Sequence, residues 1–234
     1  MRLGKFAFAL SLIVAVSAAA SERPSVGVVE FKNETSASWW SSGVGKDLAG
    51  MLTNELASTG KFKIVERQKL SHVLDEQDLA ESGRMSRSTG AKVGKLTGAH
   101  YLVIAIVSAF ESQTAGTGGG LSFRGISVGG KKEDAYLAVD LRVVDTTTGE
   151  VEFTRTVEGR ATNYGMAGSV YRGGWGGNLG KYENTPTGKA IRGAIVEIAE
   201  YLECAMVDKD GCMNAYNAKE KNRRTKTKSS LRIE

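Results

Sequence analysis

Residues 111–145 read ESQTAGTGGGLSFRGISVGGKKEDAYLAVDLRVVD, and this stretch decides how the rest of the chain is organised. Its second half carries apolar residues at strict period two, at Ala135, Leu137, Val139, Leu141 and Val143. Such alternation predicts a β-strand with one face on a core. The first half is rich in glycine, which disfavours an ordinary core strand.

The glycine-rich half still keeps a broken alternation, Leu121 with Phe123 and then Ile126 with Val128, and its parity slips near Gly125. The two legs, 121–130 and 131–140, have about the length of tilted strands that cross a bilayer, roughly 9 to 11 residues each. A long glycine-rich surface loop between two core strands is the alternative. The residues themselves leave both interpretations open.

Both ends of the chain differ from its middle. Residues 1–20 have a basic start at Arg2 and Lys5, an apolar run and small residues before Ser21, and this pattern predicts a cleaved signal peptide. No cysteine stands at the cleavage point, so no lipidation is expected there. The formal net charge is +5, and residues 217–234 form a basic segment that we expect to be disordered.

Two cysteines, Cys204 and Cys212, remain in a chain expected to be exported. In an oxidising compartment their pairing as a disulfide is favoured. Their spacing does not match a zinc site, and His72 and His100 lie far away in sequence. We therefore expect no metal, no cofactor and no catalytic residue, and the sequence indicates a protein that is not an enzyme.

The order of periodic segments predicts one α/β domain over residues 21–216, with the pattern βαβα(α)βββ and a C-terminal helix. The second helix, residues 67–82, is expected to turn Leu70, Val73 and Leu74 inward, and a weaker third helix is expected at 89–96. Residues 139–144 and 150–157 form a hairpin about a polar turn. The last helix begins at Thr185 and Pro186 and ends near Cys204.

A second glycine-rich stretch, residues 163–182 (NYGMAGSVYRGGWGGNLGKY), has the same layout as the first. Two candidate legs flank a glycine turn, with apolar or aromatic residues at Tyr164, Met166, Val170, Trp175 and Leu179. We therefore place candidate hairpins at about 114–138 and 160–183, interrupting the α/β domain.

Four segments together resemble the CsgG family, the outer-membrane curli secretion channels and their relatives. They are VGVVEFKNET, GKDLAGMLTNELASTGKFKIVERQKL, LTGAHYLVIAIVSAFES and LAVDLRVVDTTTGEV. The resemblance implies a periplasmic α/β domain that assembles into a homo-oligomeric ring. It also implies that each subunit gives two hairpins to a shared transmembrane β-barrel in the outer membrane.

The resemblance assigns residues to three parts of such a channel. The first membrane hairpin would carry Leu121, Phe123, Ile126, Val128 and Tyr136, and the second Tyr164, Met166, Val170, Trp175 and Leu179. The constriction loop would present Ser38, Trp39, Trp40 and Ser41. This loop is more compact than in curli channels, and the second hairpin has few lipid-facing apolar residues.

Two functions follow from these expectations. The first is a channel for the export of unfolded, curli-like protein subunits, with those subunits and a periplasmic accessory protein as partners and no nucleic acid. The second is a soluble periplasmic adaptor or activator with the same α/β core and no pore. The channel requires no energy source in the chain.

Overall fold

The computed structural model describes residues 22–116, 121–123, 126–128, 131–164 and 184–231, and a mixed β-sheet lies at its centre. The strands are β1 (Ser25–Val28), β2 (Lys32–Asn33), β3 (Lys63–Ile64), β4 (Tyr101–Gly116), β5 (Leu121–Phe123), β6 (Ile126–Val128), β7 (Lys131–Asp145) and β8 (Val151–Tyr164). The order in the main sheet is β3-β1-β4-β7-β8, and the short β2 also pairs with β4. Strand β1 is parallel to its neighbours, whereas β4, β7 and β8 form an antiparallel meander.

The helices are α1 (Val44–Ser58), α2 (Leu70–Glu81), α3 (Pro186–Glu203) and α4 (Cys212–Ser230), with a π-helical turn at Cys204–Asp208. Helices α1 and α3 pack on the sheet and on each other. Their apolar stripes and the inward strand residues form one core that includes Leu48, Leu52, Val103, Leu141, Ile191 and Ile198. The predicted single α/β domain is therefore confirmed. Within the described residues, no helix is both long enough and apolar enough to cross a membrane.

The contact between α3 and the edge strand β8 is very close. A Cβ atom at Gly159 would overlap the main-chain oxygen of Ala190 on α3. Glycine at position 159 therefore lets α3 approach β8.

Helix α3 begins at Pro186, a residue that the first turn of a helix tolerates. The side chain of Thr185 caps this end by accepting a hydrogen bond from the Gly188 N–H at 3.1 Å.

Three local expectations differ from the structure. Helix α2 buries only Gln77, and Val73 and Leu74 keep 38% and 42% of their surface exposed, so the expected inward packing of these residues is wrong. Residues 89–96 are not helical, since Gly94 adopts a left-handed φ of 75° within the segment. The basic segment expected to be disordered is helical up to Ser230. It lacks proline and glycine, and its lysines and arginines are good helix formers.

Candidate functional site

The loop between β2 and α1 carries the four candidate constriction residues, and hydrogen bonds give it a defined shape. Asn33 begins the loop by accepting bonds from the N–H and hydroxyl of Thr35 at 2.9 and 2.7 Å. The N–H of Trp40 donates to Ala37 O at 3.1 Å. Gly43, with φ 90°, ends the loop in a left-handed conformation and leads into α1.

The two adjacent tryptophans of this loop point to different environments. Trp39 is 2% exposed and belongs to the core, so the expectation that it projects into a lumen is wrong. Trp40 is half-buried, and its ring lies edge-on to that of Trp39 with the centroids 5.5 Å apart. The buried ring of Trp39 anchors the loop to the core, whereas the ring of Trp40 remains partly exposed at the surface.

Trp40 and Ser41 line an open depression of about 620 Å³ whose other walls come from residues 30–33 and from the start of α1. Ser38 and Ser41 are exposed. Three of the four predicted constriction residues, Ser38, Trp40 and Ser41, therefore reach the surface of the loop. An aromatic face flanked by hydroxyls can offer weak apolar and polar contacts to a passing chain.

The first glycine-rich stretch forms an antiparallel pair of strands. Strands β4 and β7 have 16 and 15 residues, and their pairing runs from Tyr101 opposite Asp145 to Gly116 opposite Lys131. Further out, β5 and β6 pair with Phe123 opposite Ile126. The expected division into legs 121–130 and 131–140 is therefore wrong, because residues 131–140 pair with β4 and residues 121–123 pair with 126–128. The side chains of Leu121, Phe123, Ile126 and Val128 lie outside the described part of the chain.

Tyr136, the fifth residue assigned to this hairpin, lies among polar groups. Its hydroxyl donates a hydrogen bond to Glu158 Oε1 at 2.9 Å, and the Arg160 guanidinium lies 4.8 Å from its ring centroid. Arg160 and Glu111 are its direct neighbours across the two flanking strands. The expectation of a lipid-facing Tyr136 is therefore wrong, because its hydroxyl binds a glutamate side chain and a guanidinium lies over its ring.

Of the second candidate hairpin, only the first leg begins in the described residues. Strand β8 ends at Tyr164, whose side chain is not described. Met166, Val170, Trp175 and Leu179 lie outside the described residues. Residues 160–164, with which the second candidate hairpin is predicted to begin, thus lie on β8, the strand next to β7.

A disulfide joins Cys204 to Cys212, the pairing that the sequence favours. It bridges the π-helical turn after α3 to the first residue of α4, while Lys209 reverses the chain with a left-handed φ of 49°. The N–H of Lys209 donates to Cys204 O at 2.9 Å. The disulfide therefore fixes where α4 begins relative to α3.

An aromatic and cationic cluster holds α4 against the domain. The rings of Tyr201 and Tyr216 meet edge-on at 5.3 Å, and the Arg155 guanidinium lies 5.0 and 5.3 Å from their centroids. Lys219 adds an ion pair to Glu197 at 2.6 Å. Burial raises the pKa of Tyr216 to about 12, with neighbouring carboxylates acting in the same direction.

The sequence patterns do not predict this cluster, although one signal for it is present. Arg155 occupies the inward parity of β8 between Phe153 and Val157, where the alternation otherwise gives apolar residues. A charged residue at an inward strand position requires a partner. Here two tyrosine rings supply it.

A groove of about 770 Å³ separates α4 from the outer edge of β8. Residues of both parities of β8 line it. The groove wall continues through Tyr136 to Glu111, at the base of the long β4–β7 pair.

Comparison with known proteins shows the family of the chain. The family model described as curli production assembly/transport component CsgG matches residues 7–231. The curli production assembly/transport component CsgG of Salmonella typhimurium is 27% identical over 157 residues, which cover 63% of this chain and 57% of the relative. That of Escherichia coli K12 is 27% identical with the same coverage. The aligned region thus spans little more than half the length of these relatives.

Among solved structures, the hypothetical protein CT253 from Chlamydia trachomatis is similar with 14% identity and a TM-score of 0.47, covering 80% of this chain and 99% of that one. The match of the family model extends over nearly the whole sequence, from the first residues through helix α4. The chain belongs to the family of the curli production assembly/transport component CsgG.

Proposed function

We propose that this chain is a subunit of an oligomeric outer-membrane channel that exports unfolded protein subunits of the curli type. Family membership supports the transport role. The observation that carries the proposal is the length of the β4–β7 pair, which continues from the core, past a bulge between Val107 and Ala109, to Gly116 opposite Lys131. No chemical step is assigned to the chain.

A polar band lies at the base of the extended pair. Thr162 donates a hydrogen bond to Asp134 at 2.7 Å, and Lys132 forms an ion pair with Asp134 at 2.8 Å. Because residues 131–140 pair with β4, the sequence leaves residues 115–130 for the two membrane legs, about eight residues each and slightly fewer than the roughly 9 to 11 of a tilted membrane strand. Charged groups at this level suit the water-facing border of a barrel.

The hairpin cannot serve as a membrane element by itself. A pair of strands leaves two edges with unpaired main-chain groups, which the hydrocarbon of a bilayer does not tolerate. The edges disappear when several subunits pool their hairpins in a closed barrel. The proposal therefore includes a homo-oligomeric ring in which residues 160–183 give the second hairpin.

The loop with Ser38, Trp40 and Ser41 forms the constriction in this proposal. Trp39 anchors the loop to the core, and Trp40 offers its face to the passing chain. Unfolded protein subunits are the cargo, and a periplasmic accessory protein is a further partner. Cleavage of the signal peptide, residues 1–20, delivers the domain 21–216 to the periplasm and the outer membrane.

The test shortens the first hairpin at a position that the register defines. Gly116 and Lys131 lie directly opposite each other, so residues 117–130 can be replaced by Asn-Gly, which closes a two-residue hairpin turn. We expect the wild type to form large rings in detergent and to conduct in planar bilayers. The shortened chain should remain folded, lose membrane association and give no conductance.

A matched control keeps the hairpin length. Phe123 and Ile126 are paired, so Arg124→Asn places an Asn-Gly turn between β5 and β6 without removing any residue. This variant should conduct like the wild type. A full-length protein that stays a soluble monomer and never enters membranes would refute the channel and leave the soluble periplasmic adaptor.

A further inference from the structure

We infer that the ring is built head to tail, with helix α2 of one subunit packed against helix α4 of the next. This inference rests on the proposed ring and names the surfaces that close it. The occupant of each surface is a second copy of this chain. Three observations carry the inference: unpaired acidic charge with exposed apolar residues on α2, unpaired basic charge on α4, and the location of these helices at opposite ends of the sheet.

Helix α2 presents a face that a subunit alone leaves uncovered. Leu74 and Leu79 are 42% and 40% exposed, and Asp75 and Asp78 are also exposed. Leu74 and Asp78 are four residues apart, as are Asp75 and Leu79, so the four side chains share one side of the helix. Residues 70–96 contain five of the seven large apolar residues that are exposed in the described chain: Val73, Leu74, Leu79, Val93 and Leu96.

The acidic charge of α2 has no partner within the subunit. Its carboxylates, Asp75, Glu76, Asp78 and Glu81, form no ion pair with any described residue. The same holds for the basic residues that follow the helix, Arg84, Arg87, Lys92 and Lys95. An exposed helix with four unpaired carboxylates and apolar residues between them favours a basic partner surface.

Helix α4 has the opposite charge. It carries six basic residues against the single acid Glu220, which is already bound to Arg223 and Arg224. On its outer side, Lys221 and Lys228 lie seven residues apart, which is two helical turns, and neither forms an ion pair with a described residue. The remaining two exposed large apolar residues of the described chain are Val151, the first residue of β8, and Leu231, directly after α4.

The sheet order separates the two surfaces. Helix α2 follows β3, one edge strand, and the residues before it contact β1, where Gln68 Nε2 donates to Val28 O at 3.1 Å. Helix α4 lies along β8, the other edge strand. A contact between different surfaces at opposite ends repeats from subunit to subunit, and such a heterologous contact closes into a ring when the rotation allows it.

The test reverses the charges on each side separately and then together, in the full chain purified in detergent. The α2 variant is Asp75→Lys with Asp78→Lys, and the α4 variant is Lys221→Glu with Lys228→Glu. Each should lower the ring fraction measured by light scattering by about tenfold or more, because like charges then face each other. The variant with all four reversals restores the attraction and should recover the ring.

Conservative replacements serve as controls. Asp75→Glu with Asp78→Glu, and Lys221→Arg with Lys228→Arg, keep the charges and should form rings like the wild type. Circular dichroism of each variant checks that the domain is folded. Zero-length carbodiimide cross-linking of the wild-type ring should join a carboxylate of α2 to a lysine of α4 on the neighbouring subunit.

The outcomes separate this inference from the proposed function. If the wild type forms rings while the single-side reversals do so equally well, or the fourfold variant fails to recover, the α2–α4 contact is refuted and the channel stands. Rings without an α2–α4 cross-link refute it as well. If the wild type forms no ring under any membrane-mimetic condition, both the proposed channel and the α2–α4 interface are refuted.

Discussion

The indole ring of Trp39 packs edge-on against the phenyl ring of Phe110, with 5.6 Å between the centroids and 71° between the planes. Trp39 belongs to the loop before α1, and Phe110 lies on β4 six residues before the strand ends at Gly116. This pair therefore joins the candidate constriction loop to the strand that continues into the candidate membrane hairpin. A shift of one element would disturb the other, because aromatic pairs of this kind are buried and close-packed.

Replacing Trp39 by alanine is expected to destabilise the domain by about 3–5 kcal/mol, since it removes a large, fully buried ring. Urea unfolding of the purified domain measures the loss. Trp39→Phe is the matched variant, because it keeps an aromatic ring against Phe110 and removes an Nε1–H that donates no hydrogen bond within the described structure. A stability loss below 1 kcal/mol in the alanine variant would show that this ring does not anchor the loop.

Trp40→Ala should affect conduction and not folding. The ring of Trp40 is half-buried beside an open depression, so its removal is expected to cost roughly 1 kcal/mol or less. In the proposed channel, the replacement of Trp40 by alanine should widen the constriction and raise the single-channel conductance in planar bilayers. An unchanged conductance, with rings assembled as in the wild type, would move the constriction away from this loop.

The regular parts of this fold are readable from the sequence because each follows a simple periodicity. The alternation from Ala135 to Val143 predicts β7, and the stripe from Ile191 to Leu202 predicts α3. Helix α2 shows the limit of such reading: its stripe of Leu70, Val73 and Leu74 looks inward-facing, but the subunit offers no surface to cover it. Periodicity reports which side of an element is apolar and does not say whether the partner belongs to the same chain.

The candidate loop shows a second limit. Two adjacent tryptophans on a polar connection give no period, so the sequence could not separate Trp39 from Trp40. Which ring is buried depends on Phe110, about 70 residues away in the chain, and on the turn formed at Asn33 and Thr35. Contacts between distant segments of this kind leave no local pattern.

A β-branched residue at Gly159 should disrupt the contact between β8 and α3. Any Cβ there meets the Ala190 carbonyl, so Gly159→Val is expected to destabilise the domain by about 1–3 kcal/mol or more. Gly193→Ala on the exposed side of α3 is the control, because a Cβ at that position meets nothing within 4 Å. The control should stabilise by about 0.5–1 kcal/mol, and thermal melts of both variants measure the difference.

The disulfide should hold α4 in place more than it stabilises the core. Closing so short a loop is worth about 2–3 kcal/mol in an unstrained protein. Cys204→Ser with Cys212→Ser is therefore expected to increase hydrogen exchange in α4 while the amides of β4 and β7 remain protected. Alkylation of the denatured, unreduced wild type should label no thiol. Labelling of both cysteines, or equal loss of protection in α4 and the sheet, would contradict this role.

The stability of α4 should fall in acid through Glu220. Its carboxylate accepts hydrogen bonds from Arg223 at 2.7 and 3.0 Å and from Arg224 at 2.7 Å, and these bonds, that of Arg223 first, lower its pKa from 4.5 to about 2. A depressed pKa in the folded state means that the contribution is complete above pH 4.5 and is lost as the pH falls from 4.5 through about 2. Because the pairs lie at the surface, we expect roughly 0.3–1 kcal/mol.

The measurement compares α4 in the wild type and in Glu220→Gln, by hydrogen exchange corrected for the intrinsic rate at each pH. The wild type should lose protection in α4 between pH 5 and pH 2 relative to the variant. In Glu220→Gln the protection of α4 should already be lower than in the wild type at pH 5. It should not change further down to pH 2, because glutamine does not titrate. Parallel curves for the two proteins would show that the arginine pairs with Glu220 do not support the helix, and that its order depends on the disulfide and on the cluster of Tyr201, Tyr216, Arg155 and the Lys219–Glu197 ion pair.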